Sequence, residues 1–270
     1  MINITEREFK LLADYIKSNY GINLKTEKKN LVLSRLQNVV LKMGFRNFTE
    51  YYDHLLADTS GVSVVTLIDK ITTNHTYFMR EANHFYYFRD VVLPSLKGCV
   101  KDKDLRIWCA ACSTGEEPYT LAMIIDEFFG EEKRYWDTQI LATDISHDAL
   151  ETAIKGVYSS ERISPLPNRW KLRYFSKYDK ENYKIIDRIK DDVIFRKINM
   201  TDRNFPFNKK LHVIFCRNLM IYFDNQEKES LVDRIYNCLS DGGYFFISHS
   251  ESINRDKTKF KLISPGVYRK

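Results

Sequence analysis

An arginine, an asparagine and a tyrosine are gathered in Cys216-Arg217-Asn218-Leu219-Met220-Ile221-Tyr222-Phe223, directly after the apolar run Leu211-His212-Val213-Ile214-Phe215. The run predicts a buried strand over 211–217. Open α/β sheets bind ligands beyond the carboxyl ends of their strands. A guanidinium, an amide and a phenol placed there suit a molecule with carboxylate, amide and ring edges. On its own the octet is equally a strand end whose polar groups meet water, so the other strand ends have to decide.

The loop after the first expected strand is Ala110-Ala111-Cys112-Ser113-Thr114-Gly115-Glu116-Glu117-Pro118-Tyr119. It lacks the Gly-x-Gly-x-x-Gly that lays a pyrophosphate against a helix terminus, and its two carboxylates would repel a phosphate there. Its small residues, Gly115 among them, permit close backbone approach, and a carboxylate suits a cationic ligand such as one with a sulfonium and an amino group. Glu116 reads as an ordinary acid complementing the helix dipole. Asp144 ends the second strand, where an acid commonly bonds a ribose diol; capping the next helix is the alternative, but Ser146 is better placed for it. Asn199 and Met200 end the third strand, where they suit an adenine edge and face, or else mark a plain turn. Cys109 and Cys112 have no second cysteine pair, so they read as reduced packing residues, and no metal is expected.

The elements that must carry these residues fall into two groups. Residues 1–72 read as helical throughout, with Thr5 as a cap, Gly21 and Gly44 as stops, and apolar residues at helical spacing. From about residue 99 strands alternate with helices: strands at 105–110, 139–143, 193–199, 211–217 and 244–248, helices at 118–129, 147–154 and 225–239, the last ended by Asp241-Gly242-Gly243. Such alternation calls for a parallel sheet with right-handed crossovers, a Rossmann-like α/β domain. Residues 73–98 join the two parts. Residues 156–192 read as an inserted antiparallel subdomain.

At 270 residues, 44% hydrophobic and 14% aromatic, the chain has ample core material, and its formal charge of +6 is modest. Five cysteines, an odd number, accompany no secretory leader and no apolar run near the ~18 residues of a membrane span. A cytoplasmic setting without membrane insertion is the expectation. Lys25, Lys28, Lys29, Arg35, Lys42 and Arg46 face one acid, Glu27, over the same stretch. They form either a solvated face or a docking surface for an acidic protein.

Ser113-Thr114-Gly115-Glu116-Glu117-Pro118-Tyr119 and the octet from Cys216 closely resemble the CheR-type methyltransferases, which esterify glutamates on bacterial chemoreceptors using S-adenosylmethionine. Thr72-Thr73-Asn74-His75-Thr76-Tyr77-Phe78-Met79-Arg80-Glu81 resembles that family's segment between its helical and catalytic domains, and His249-Ser250-Glu251-Ser252 its last marker. The resemblance implies that Asn74, Thr76 and Arg80 close over the cofactor. It places Glu117 at the methionine moiety, Asp144 at the ribose, Asn199 and Met200 at the adenine, and Arg217 and Asn218 at the reacting end. Two departures stand out. Met79 replaces a usual phenylalanine, a swap a flexible apolar side chain tolerates. The insertion has no glycine between Val157 and Lys190, which counts against tethering to a receptor's C-terminal peptide.

A glutamate carboxylate is already ionised at pH 7 (reference pKa ~4.3), so the reaction needs no general base. Arg217 and Tyr222 are expected to orient the incoming carboxylate, with Arg80 on the cofactor's carboxylate or the substrate. The expected partner is the cytoplasmic helical region of a chemoreceptor, met by a monomer through its basic N-terminal helices. A nucleic-acid methyltransferase is the first alternative, but the chain lacks an Asn/Asp-Pro-Pro-Tyr segment, a Pro-Cys dipeptide and a concentrated basic track. A non-catalytic module that only senses cofactor is the second.

Overall fold

The computed structural model describes residues 2–270. Four helices open the chain: α1 (Glu6–Tyr20), α2 (Lys29–Lys42), α3 (Phe48–Ala57) and α4 (Val62–Ile71). A capping box starts α1, in which the Thr5 side chain accepts from the Glu8 N–H while Glu8 accepts from the Thr5 N–H, and Gly21 ends it at φ +69°. Phe9, Leu12 and Ile16 of α1, Val32, Leu36 and Val40 of α2, Phe48 and Tyr51 of α3 and Leu67 of α4 share a core separate from that of the sheet.

The joining segment is more ordered than the sequence predicts. Helix α5 (Ala82–Tyr87) runs through a π-helical turn at Phe88–Val92 into α6 (Leu93–Cys99). Phe85, Phe88, Val92, Leu93 and Leu96 are buried on one face of the sheet. Their spacing over 85–96 is helical, so the signal was present in the sequence.

The sheet domain follows with β1 (Ile107–Ala110), α7 (Glu116–Phe129), β2 (Ile140–Asp144) and α8 (His147–Lys155). An insertion contains β3 (Val157–Ser159), α9 (Ser160–Ile163), α10 (Asn168–Tyr174), β4 (Phe175–Lys177), β5 (Asn182–Ile185) and α11 (Asp187–Lys190). The chain then returns through β6 (Val193–Lys197), β7 (Leu211–Cys216), α12 (Asn225–Cys238), β8 (Leu239–Phe246), β9 (Lys261–Ser264) and β10 (Val267–Arg269). The main sheet has the order β6-β2-β1-β7-β8-β10-β9, and the insertion forms its own sheet, β3-β5-β4.

Strands β6, β2, β1, β7 and β8 are parallel, as the βα alternation requires. The last two strands are antiparallel, making the sheet mixed where a purely parallel one was expected. One further expectation is corrected. Asp241-Gly242-Gly243 lies inside β8 rather than ending α12; Gly243 is needed there because a Cβ would sit 2.9 Å from the Ser240 carbonyl oxygen. The insertion is antiparallel as expected, a three-stranded sheet with short helices. Strand order runs one way from β1 to β2 and β6 and the other way from β7, so the switch point falls between β1 and β7. Ligands of open α/β sheets bind above such a point.

Candidate active site

A cleft lies beyond the carboxyl ends of β1, β2 and β7, walled on its far side by the helical domain and the joining segment. Five non-glycine residues with positive φ belong to the loops that border it: Met79 (61°), Glu81 (56°), Ala111 (60°), Ser113 (50°) and Asn218 (60°). Such conformations are uncommon and gather where function requires a particular backbone path.

The β1–α7 loop is fastened to β2. The Cys112 N–H donates to the Thr143 carbonyl at 2.9 Å, and the Ser113 N–H donates to Asp144 Oδ2 at 2.7 Å. The other Asp144 oxygen accepts from the Ser146 N–H at 2.9 Å. Burial pushes the Asp144 carboxyl up, and the N–H donors of Ser146 and Ser113 bring it only part of the way back. Gly115, at φ +95°, does not line the cleft. A Cβ there would meet the Ala153 Cβ and the Tyr158 hydroxyl at 2.9 Å each, so this glycine serves the packing of α7 on α8 and the insertion. Glu116 is fully buried and paired with Arg162 of α9, a link to the insertion beyond the dipole role.

Arg217 is the hub of the opposite wall. Its side chain is 1% exposed and bridges Glu117 at 2.7 Å and Glu81 at 3.1 Å, while a third N–H donates to the Arg80 carbonyl. Burial would raise the Glu81 carboxyl, but Arg217 and the His249 N–H hold it below its ordinary value. The other Glu117 oxygen accepts from the Cys109 thiol at 3.1 Å. Burial and the neighbouring Glu117 push that thiol well up, so Cys109 is a neutral donor, in keeping with a packing cysteine.

Glu251 shapes the octet after β7. It accepts from the N–H groups of Asn218 at 2.9 Å, Met220 at 2.7 Å and Ser248 at 2.8 Å. Neither it nor Glu81 was among the expected site residues. Both stand in the quoted motifs, but nothing local in the sequence tells which groups their carboxylates meet.

Asn74, Thr76 and Arg80 descend from the joining segment onto the cleft. The Asn74 amide donates to Ser146 Oγ at 3.3 Å, and Arg80 donates to the His75 carbonyl at 2.7 Å. Met200, Asn218 and Tyr222 also line the cavity. Asn199 lines it too, with its carboxamide engaged: Nδ2 donates to the Asn19 carbonyl at 2.8 Å and Oδ1 accepts from Thr201. Tyr20, Ile22, Leu24 and Leu31 of the helical domain complete the wall, a contribution that no local pattern marks.

Two buried polar atoms at this wall have no protein partner, Ser113 Oγ and Arg217 Nε. With Asp144 and Glu117 they make a donor and acceptor set that fits S-adenosylmethionine: acids for hydroxyls and cationic groups, free donors for a carboxylate or ring edge, and apolar Ile145, Ile198, Met200 and Phe223 for an adenine face.

Comparison with known proteins agrees in kind. Residues 74–268 match the family model described as CheR methyltransferase, SAM binding domain, and residues 7–72 match CheR methyltransferase, all-alpha domain. A chemotaxis protein methyltransferase of Borreliella burgdorferi is 40% identical over 272 residues, covering 100% of this chain and 96% of that protein. Chemotaxis protein methyltransferase 2 of Vibrio cholerae is 32% identical over 273 residues, covering 99% of this chain and 94% of the relative. The chemotaxis protein methyltransferase of Escherichia coli is 29% identical over 269 residues, with coverage of 98% and 91%.

Proposed function

The chain belongs to the CheR methyltransferase family and is an S-adenosylmethionine-dependent methyltransferase of chemotaxis; we propose that it esterifies glutamate side chains on the cytoplasmic region of chemoreceptors. The observation that carries this reading is the cleft at the β1/β7 switch point, where Asp144 and the Arg217–Glu117 pair stand on facing walls. When bound, the cofactor supplies a methyl carbon on a sulfonium, open to attack by an anion.

The chain's task is placement. A carboxylate acceptor arrives already ionised, so no side chain has to remove a proton. Cysteine nucleophiles are poorly suited, because burial pushes the Cys112 and Cys216 thiols well above their ordinary value. Orientation alone contributes on the order of 7–11 kcal/mol in well-aligned reactions. Asp144 is held by two N–H groups to receive a ribose diol, and Glu117, turned by Arg217, to receive the amino acid end of the cofactor. Asn74 and Thr76 would cover it, and Met200 would lie against the base.

Both terminal nitrogens of Arg217 already meet protein acceptors, so Arg217 positions Glu117 and the Arg80–Glu81 turn. The half-buried Arg80, with N–H groups to spare, and the Tyr222 phenol then orient the incoming carboxylate. Asn199 acts through its contact with Asn19 and its backbone, and Asn218 through the loop that Glu251 holds.

No helix among the described residues is long and apolar enough to cross a membrane, and cytoplasmic residence belongs to the proposal. Of the six basic residues, Lys29 pairs with Glu6 and Arg35 donates to the Ile71 and Thr72 carbonyls. Lys25, Lys28, Lys42 and Arg46 remain exposed for an acidic receptor surface. The β4–β5 turn is closed by Asp179, which accepts from the Glu181 and Asn182 N–H groups, and tail tethering is left out of the proposal. Incubation with methyl-labelled cofactor and receptor-containing membranes tests the reading. Base-labile label on receptors is expected; alkali-resistant label on nucleic acid, or cofactor binding without transfer, would overturn it.

A further inference from the structure

Behind the active-site wall, on the side facing away from the cleft, Glu81, His84 and His249 converge. One potential ligand atom from each lies within 4.8 Å of the others. His84 is 2% exposed. Its Nε2 lies 3.0 Å from the Pro265 carbonyl oxygen, an acceptor only, so the ring proton belongs on Nε2 and the Nδ1 lone pair is bare. That Nδ1 is buried without a hydrogen-bond partner and faces Glu81 Oε2 at 3.4 Å. Two lone pairs aimed at each other in a buried place are unfavourable unless a cation lies between them.

We propose that Glu81, His84 and His249 form a three-ligand site for a borderline transition-metal cation, zinc being the reference ion. Ligands ~2.1 Å from a tetrahedral zinc stand roughly 3.4 Å apart, which is the separation already present between Glu81 and His84. The exposed His249 ring, 4.5 Å from the His84 ring between centroids, completes the set by a small side-chain rotation. The Pro265 carbonyl orients His84 from behind, as outer partners of metal-bound histidines do. Arg217 also reaches this Glu81 oxygen, at 3.1 Å, but its single charge is shared with Glu117 at 2.7 Å, so net negative charge is left for the cation. A surface cavity lined by His84, His249, Ser252 and Arg255 supplies the entry path and room for water as fourth ligand. The trio joins residues up to 168 positions apart in the chain, so no local spacing marks it, and the sequence led to the expectation of no metal.

The site is tested by zinc titration calorimetry on the full chain after chelator treatment, in a Cys99→Ser background, since the exposed Cys99 thiol is a competing ligand. One zinc per chain with micromolar or tighter affinity is expected, weakened at least tenfold by His249→Ala, a surface change that spares the fold. Cobalt loading is expected to give the intense visible bands of a four-coordinate ion, lost in the same variant. Equal zinc affinity in His249→Ala, or no saturable binding in the parent, would overturn the site. The readouts involve no methyl transfer, so they stand apart from the proposed reaction.

Discussion

Arg217 carries one charge against two carboxylates, Glu117 and Glu81, and this imbalance governs what its loss does. Removing the guanidinium leaves both acids half-buried and unpaired, a change that costs roughly 3–5 kcal/mol when an ion pair is broken. Arg217→Ala is therefore expected to lose nearly all turnover and to melt at lower temperature, and Arg217→Lys to recover little, because an ammonium does not span three acceptors. Tyr222→Phe is expected to keep cofactor affinity and fold while slowing transfer tenfold or more, measured as kcat on a receptor fragment. Asp144 sets a pH limit. Its carboxyl is raised by burial, and the protonated form is a poorer acceptor for ribose hydroxyls. Affinity for S-adenosylhomocysteine, followed by calorimetry, is expected to fall as pH drops through that raised value, earlier than for an ordinary aspartate. Asp144→Asn should bind weakly with a flat profile over the same range.

At the scale of elements, loops at the strand ends are set by a few buried contacts. Glu251 satisfies three backbone N–H groups of two loops. Glu251→Ala strands them, and at ~1–3 kcal/mol for each buried orphan the melting temperature and activity are expected to fall together. Gly115→Ala places a methyl against Ala153 and Tyr158 at a positive φ, so it is expected to destabilise α7 and the insertion. Urea denaturation would show this as a lower midpoint with an unchanged slope. The βα rhythm of residues 105–246 was legible because hydrophobic periodicity is local. The β9–β10 hairpin was not: its strands are short, β9 is largely exposed, and the burial of Val267 and Tyr268 in β10 depends on pairing with β8.

The whole molecule closes its cleft by docking one core on another. Asn23 donates to the Tyr222 carbonyl at 2.8 Å, Lys17 pairs with Asp224 at 2.9 Å, and Asn199 holds the end of α1. Gly21 sits at the tightest point, where a Cβ would lie 2.6 Å from Thr201 Cγ2. Gly21→Ala is expected to push the helical domain outward and weaken cofactor affinity severalfold, and Thr201→Ala in the same chain to restore part of it, read by calorimetry with S-adenosylhomocysteine.

What the sequence by itself determined is the class of fold and the neighbourhood of the chemistry. Strand ends are marked where an apolar run gives way to a polar residue, so Asp144 and the stretch from Arg217 to Tyr222 were identifiable one by one. Only the tertiary structure decided what each group meets. Arg217 faces Glu81, more than a hundred positions earlier, and the helical domain supplies a wall of the cleft. Glu81, His84 and His249 meet behind it. Such pairings depend on strand register and domain docking, which arise from burial summed over the whole chain and leave no local trace in the order of residues.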